Sequence, residues 1–233
     1  FLKNETNLKL IAIERTPFKE LEIYFSVIDY IKKSLIKILT HIFYKRFDAI
    51  VCNSKYMGNY FKKKYGYKSI TIYPPSLSEK QIIKKNKKIK KLILITTVCR
   101  LSREKKIEEI IYALKYLNKN NIFLNIIGDG PERKKLILLI KKLYLSKQVK
   151  LLGEKKNIYK YLNKSDLYIN SSYFEGFPNS VVEAANIGIP IISSQSHGGI
   201  NEILLNGKCG TIYDKGYKNL AIQIKKFLSN PKN

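Results

Sequence analysis

The stretch Glu175-Gly-Phe-Pro-Asn-Ser-Val-Val-Glu-Ala-Ala-Asn-Ile-Gly-Ile-Pro-Ile-Ile-Ser193 decides how this chain folds, because it reads as loop, helix and strand in immediate succession. Phe174, Gly176, Phe177 and Pro178 surround Glu175 with turn-forming and aromatic residues. Asn179 and Ser180 are both good helix caps, and Val181, Val182, Ala184, Ala185 and Ile187 recur with helical spacing. A helix is expected to begin near Ser180 and to stop at Gly188-Ile189-Pro190. Its start offers unpaired backbone N–H groups and the positive end of a dipole, which together make an anion site. Two carboxylates beside an anion site suit a ligand that joins a diphosphate to hydroxyl-bearing rings, since the hydroxyls donate to the carboxylates. The spacing Ser180-x-x-Glu183 is equally that of a capping box, with Glu183 bonding back to the Ser180 N–H. Both readings stay open for Glu183, whereas Glu175 lies in a loop and has no capping role to play.

Outward from this stretch, the chain beyond about residue 90 alternates short β-branched runs with helical patterns, the signature of β-α units on a parallel sheet. The expected strands are 92–98, 122–127, 149–152, 167–170, 190–193 and 211–213, and the helices between them are 107–117, 132–144, 158–162, 181–187, 201–205 and 218–228. Ligands of such sheets bind past the carboxyl ends of the strands. There stand Arg100-Leu-Ser-Arg-Glu-Lys105 after the first strand, Gly128-Asp-Gly-Pro-Glu132 after the second, Ser171 to Glu175 after the fourth and His197-Gly-Gly-Ile-Asn-Glu202 after the fifth. Each alone is an ordinary turn or solvated charge pair. Four on one edge of one sheet point to a binding site.

The first 75 residues follow another plan. A strand is expected to end at Glu14, a long helix to run over 21–43, a buried strand over 49–52, a helix from Asn53-Ser54 towards Lys64, and a last strand over 70–73. In the long helix, apolar positions such as Phe25, Ile28, Ile31, Leu35, Ile38 and Ile42 alternate with Lys32, Lys33 and Lys37. That pattern fits a helix packed within its domain behind a lysine-rich outer face, and equally one lying on anionic lipid. The segment 76–91, rich in Lys, Ser and Asn, reads as a hinge. A nucleotide-binding domain needs about 100–150 residues, so the amino-terminal part reads as only its second half, and with Phe at position 1 the sequence is expected to be a fragment.

Composition narrows the function. The 233 residues suffice for a sizeable core, no apolar run reaches the length of a membrane span, and no secretory leader is recognisable. Cys52, Cys99 and Cys209 are odd in number and unpatterned, which argues against disulfides or a zinc site and fits a reducing cytosol. The net charge of +26 invites a nucleic-acid or anionic-membrane reading, yet all but five of the 44 basic residues are lysines. Lysine is the weaker choice for bidentate phosphate or base recognition. Without interleaved aromatic and basic residues of the RNA-binding kind, nucleic acid is not an expected partner.

With these residues assembled, the chain resembles the retaining glycosyltransferases of family 4, group 1 glycosyltransferases with two facing Rossmann-like domains known as the GT-B fold. The resemblance runs from Glu14-Arg-Thr-Pro17 through Asp48-Ala-Ile-Val-Cys-Asn-Ser54 and Tyr73-Pro-Pro75 to Gly207 and Gly210, and its specific part is Arg100-Leu-Ser102 with Glu104-Lys105, Gly128-Asp-Gly-Pro-Glu132, and Glu175 to Glu183 as an E-x7-E motif. It implies a partial acceptor-side domain over 1–78, a linker over 79–90 and a complete nucleotide-sugar-binding domain over 91–233. It also implies transfer of a sugar, with retention, from a UDP- or GDP-sugar to a saccharide or lipid-linked acceptor, in bacterial surface polysaccharide or glycolipid synthesis on the cytoplasmic side, with peripheral membrane contact through the basic helix.

By the same resemblance, Arg100 and Lys105 stabilise the departing diphosphate and Glu175 meets the donor sugar. The backbone N–H groups of Phe177, Asn179 and Ser180 face sugar and phosphate, and Glu183 accepts the ribose hydroxyls. No Asp-x-Asp motif is present and no metal or other cofactor is expected. The family's glycine-rich loop and active-site His have no counterpart here, since His41 falls in the long helix and His197 in a later loop. The fragment is therefore expected to bind donor without necessarily completing transfer. Two other readings share the residues: an epimerase or sugar phosphorylase on the same scaffold, and a basic membrane-surface or nucleic-acid binding protein.

Overall fold

The computed structural model describes residues 9–16, 18–75 and 92–229. The expected hinge lies outside the described residues. By contact the chain forms two units, and the division does not follow the sequence: Phe174–Phe177 and His197–Glu202 group with the first 74 residues, and the remainder forms the second unit.

The first unit holds a parallel sheet of β1 (Ile11–Glu14), β2 (Ala49–Cys52) and β3 (Ile70–Thr71) in that order, with helices α1 (Val27–Phe43) and α2 (Lys55–Tyr65) between them. Ser26 caps α1 by accepting from the Asp29 N–H, and Ser54 caps α2 by accepting from that of Met57. The core comprises Ala12, Ile50, Cys52, Met57 and Phe61 with a ring of tyrosines, Tyr44 stacking on Phe61 at 5.7 Å.

The long amino-terminal helix begins later than the sequence pattern suggests, since 18–22 form a separate 3₁₀ turn. Its orientation also departs from a helix buried behind lysines. Lys33 and Thr40 are the buried residues of α1, with the Lys33 ammonium donating to the Ile23 carbonyl and pairing with Asp29. Val27, Ile28, Ile31, Leu35, Ile38 and Ile42 are each more than half exposed. Their spacing forms one continuous apolar stripe, which the polar and ionic contacts of Lys33 leave facing away from the sheet.

The second unit carries β4 (Ile93–Val98), β5 (Ile122–Ile127), β6 (Val149–Gly153), β7 (Leu167–Asn170), β9 (Ile191–Ser194) and β11 (Thr211–Tyr213) in one parallel sheet of order β11-β9-β7-β4-β5-β6. Among its helices are α3 (Ile107–Leu117), α4 (Arg133–Lys142), α5 (Tyr159–Leu162), α6 (Asn179–Asn186) and α8 (Tyr217–Ser229). The near-continuous apolar runs of β5 and β7 follow from burial on both faces. Strand order reverses between β4 and β7, and that topological switch opens a crevice at the carboxyl ends of the strands. The short strands β8 (Phe174–Glu175) and β10 (His197–Gly198), followed by the single turn α7 (Ile200–Ile203), pair with each other in parallel apart from the main sheet.

Candidate functional site

The loops after β4, β5 and β6 are laced together by backbone bonds. The Cys99 N–H donates to the Ile127 carbonyl (3.0 Å), that of Leu101 to Asp129 (2.8 Å), that of Gly128 to Gly153 (2.9 Å) and that of Glu132 to Leu101 (2.9 Å). Gly128 sits at φ +126°, and a Cβ there would lie 1.9 Å from the Cys99 carbonyl oxygen. No other residue allows these two loops to approach so closely. Between them lies a cleft of about 610 Å³ lined by Arg100, Gly128, Asp129, Gly130, Glu154, Lys155 and Ile158 among others, within the range of about 300–1,000 Å³ usual for small-molecule sites.

Lys105 closes a 3₁₀ turn, and its carbonyl accepts from the Ser171 hydroxyl at 2.7 Å, while the Tyr173 N–H donates to the Glu104 carbonyl at 2.8 Å. The loop after β4 is thereby fixed to the loop after β7. The neighbouring Lys106 is committed elsewhere: its ammonium pairs with the buried carboxylate of Glu109 and lies 4.4 Å from the centroid of the Tyr173 ring.

Helix α6 starts differently from the sequence reading. Pro178 is the N-cap, without a side-chain cap, and Asn179 and Ser180 are already helical. The hydroxyl of Ser180 accepts from Tyr168 at 2.9 Å instead of capping. Glu183 is consequently the fifth helical residue, too far along to bond back as a capping box requires, and among the described residues no hydrogen bond reaches its carboxylate. Proline cannot cap with a side chain, yet its fixed backbone angle suits a helix entry, which is why the start moved one residue earlier. Burial pushes the Glu183 carboxyl above the usual carboxylate range. It also raises the phenol of Tyr159, to which the Glu183 charge adds. Tyr159 follows Ile158, a residue of the cleft wall, so Glu183 acts on the element that borders the cleft.

Of the residues singled out in the sequence, Arg100, Lys105, Asn179, Ser180 and Glu183 belong to the second unit, the first two in the loop after β4 and the other three in α6. The cleft takes in Arg100 but neither Lys105 nor Glu183. Glu175 and Phe177 belong to the first unit, where Glu175 pairs with Gly198. Sequence reasoning missed Glu154, Lys155 and Ile158, although they follow the carboxyl end of β6 and the strand-end rule covers them equally. Tyr168, wholly buried in β7, was hidden among apolar neighbours.

Residues 78–233 match the protein family described as "Glycosyl transferases group 1". An uncharacterized glycosyltransferase of Methanocaldococcus jannaschii is 34% identical over 175 residues, 70% of this chain and 43% of that protein. The N-acetylgalactosamine-N,N'-diacetylbacillosaminyl-diphospho-undecaprenol 4-alpha-N-acetylgalactosaminyltransferase of Campylobacter jejuni is 31% identical over 139 residues, 59% of this chain and 38% of that protein. The chain thus spans less than half the length of these two relatives. The crystal structure of Anabaena HepE in complex with UDP and glucose superposes with a TM-score of 0.80 at 19% identity, over 96% of this chain and 63% of that one. That likeness carries the fold, and the α/β architecture with parallel sheets is that of GT-B proteins. On this family match, which spans residues 78–233 and so more than half of the sequence, the chain belongs to the group 1 glycosyl transferases.

Proposed function

We propose that this chain is part of an enzyme that transfers a sugar from a nucleoside diphosphate sugar to an acceptor, with retention of the anomeric configuration. The observation that carries the proposal is the cleft at the carboxyl ends of β4, β5 and β6, where Arg100 meets a glycine turn that only glycine permits. In this reading Arg100 and Lys105 take the charge that develops on the departing diphosphate. The N–H groups opening α6, at Asn179 and Ser180, face the phosphate end. Glu183, released from capping, accepts from ribose hydroxyls, and Glu175 with the backbone of Phe177 meets the donor sugar. Two cations and a helix dipole supply the charge stabilisation, so the proposed transfer needs no divalent ion or other cofactor.

The acceptor is proposed to be a saccharide or a lipid-linked saccharide in bacterial surface polysaccharide or glycolipid synthesis, handled on the cytoplasmic face of the membrane. Among the described residues no helix is long and apolar enough to cross a membrane. Support for peripheral contact comes from α1, whose exposed apolar stripe is accompanied by Lys32, Lys37, Lys45 and Arg46. The name of the Campylobacter relative, which contains a saccharide on diphospho-undecaprenol, supports the lipid-linked class.

Titration calorimetry of the full-length protein with UDP, GDP and their sugars, in chelator and in magnesium, tests the reading. One nucleoside diphosphate is expected to bind equally in both buffers, and Arg100→Ala and Glu183→Ala to weaken it by about tenfold or more each, the scale of a lost charge-assisted hydrogen bond. Absence of binding by any nucleotide would overturn it.

A further inference from the structure

Of the two segments that group with the first unit, the later one is fastened to helix α2 by one side chain. Glu202 follows His197-Gly198-Gly199 and places its carboxylate at the amino-terminal end of α2, accepting from the Lys55 N–H at 3.0 Å and the Tyr56 N–H at 2.8 Å. The first-turn amides of an α-helix have no partner inside the helix. Here Glu202 takes two of them, from 147 and 146 residues away, while Ser54 takes Met57. A third donor is the Tyr73 hydroxyl at 2.8 Å.

From Glu202 the connections lead straight to Glu175. Gly198 pairs with Glu175, at φ +139°, and a Cβ on Gly198 would lie 1.3 Å from the Glu175 carbonyl oxygen. The Gly199 N–H donates to the Gly176 carbonyl at 2.9 Å. Gly176 in turn packs tightly within the first unit, where a Cβ would meet the Arg15 carbonyl oxygen at 1.8 Å. Tyr73 closes the circuit, with its hydroxyl on Glu202 and its ring 5.0 Å from that of Phe177.

We propose that Glu202 is a positioning residue: through α2 and Tyr73 it fixes the segment carrying Glu175 and Phe177, the two residues assigned above to the donor sugar. The inference rests on the proposed transfer for its kinetic consequence, and on the bonds themselves for its structural one. Displacement of about 1 Å at a reacting centre lowers turnover by as much as about a hundredfold, whereas the nucleotide contacts assigned to Arg100 and Glu183 involve none of these bonds.

The test uses the full-length protein with Glu202→Gln, Glu202→Asp and Tyr73→Phe. Glutamine replaces one acceptor oxygen by a donor that the helix amides repel, and aspartate keeps the charge on a shorter arm. Glu202→Gln is expected to lower kcat with the sugar donor by about ten- to a hundredfold and to leave nucleoside diphosphate affinity within about twofold. Aspartate should restore part of the loss, and Tyr73→Phe should show a smaller loss of the same kind. Amide exchange at 175–177 and at Gly199 should rise in Glu202→Gln. A parallel fall in nucleotide affinity and melting temperature would mark Glu202 as merely structural and overturn the proposal, as would wild-type turnover with unchanged exchange. If the wild type neither binds nucleotide nor turns over, the transferase reading fails by itself. Exchange then decides on Glu202 alone: faster exchange at 175–177 in Glu202→Gln sustains the positioning, and unchanged exchange refutes it.

Discussion

The hydroxyl of Tyr168, wholly buried in β7, lies 2.9 Å from the hydroxyl of Ser180 and 3.3 Å from the carbonyl oxygen of Val98. One phenol thus connects the strand on each side of the topological switch with the first turn of α6. Tyr168→Phe removes the donor from two half-buried acceptors, at a cost of about 1 kcal/mol. Ser180→Ala should cost less, because Tyr168 retains Val98. In a double-mutant cycle by chemical denaturation the two should couple by roughly 1 kcal/mol, as groups in one hydrogen-bond network do. Strict additivity would deny the connection.

Gly128 is a steric gate for the cleft. A methyl group there would lie 1.9 Å from the Cys99 carbonyl, a backbone atom that cannot swing aside, at a positive φ that L side chains avoid. Gly128→Ala should therefore separate the loops after β4 and β5 and abolish detectable nucleotide binding. Gly207→Ala, at φ +91° but with nothing within 4 Å, should cost stability alone. Calorimetry on both variants distinguishes a local lesion in the cleft from a general effect of glycine replacement.

Glu183 should make nucleotide affinity depend on acidity. Burial holds its carboxyl above the ordinary range, so the proton that turns an acceptor into a donor arrives at a higher pH than for a surface glutamate. Affinity for the nucleoside diphosphate should fall on acidification, and Glu183→Gln should bind weakly at all pH values with a flatter profile. A wild-type profile in the glutamine variant would remove Glu183 from the ribose.

Glu14, at the carboxyl end of β1, is pushed by burial to about 7 from 4.5. A carboxyl with a higher pKa in the folded than in the unfolded chain favours the fold while protonated. Its contribution is present below about 4.5 and is lost as pH rises through about 7. Glu14→Gln should flatten this decline, with denaturation midpoints at pH 5 and pH 8 moving closer together. An unchanged difference between the two midpoints would place the decline on other groups.

The stripe on α1 predicts lipid dependence. Co-sedimentation with vesicles rich in anionic lipid should exceed that with neutral vesicles, weaken as salt screens the lysines, and drop in a variant with Ile31→Ser and Leu35→Ser, both more than half exposed in the wild type. Indifference to lipid charge would assign the stripe to another covering.

The elements of the second unit were legible because their signals are local and strong. Ile122–Ile127, Leu167–Asn170, Thr211–Tyr213 and Ile107–Leu117 end where the apolar pattern ends. The start of α6 was misread because Asn179 and Ser180 are both good caps, whereas Pro178 takes the N-cap and the Ser180 hydroxyl is committed to Tyr168, twelve residues earlier. The inward turn of Lys33 depends on the Ile23 carbonyl and Asp29, which no hydropathy pattern encodes. Arg100 could be placed on the cleft by its strand-end position alone. Glu202 could not be read as a partner of α2, because contacts across nearly 150 residues leave no periodic trace.

Because Phe174–Phe177 and His197–Glu202 group with the amino-terminal residues, the boundary between the units crosses the polypeptide several times. A chimera that transplants everything after residue 92 as one cassette would import these stretches without the Arg15, Asn53, Lys55 and Tyr73 surroundings to which they are matched. Hybrid enzymes that combine halves of different relatives would therefore be built better by leaving those two short inserts with the recipient.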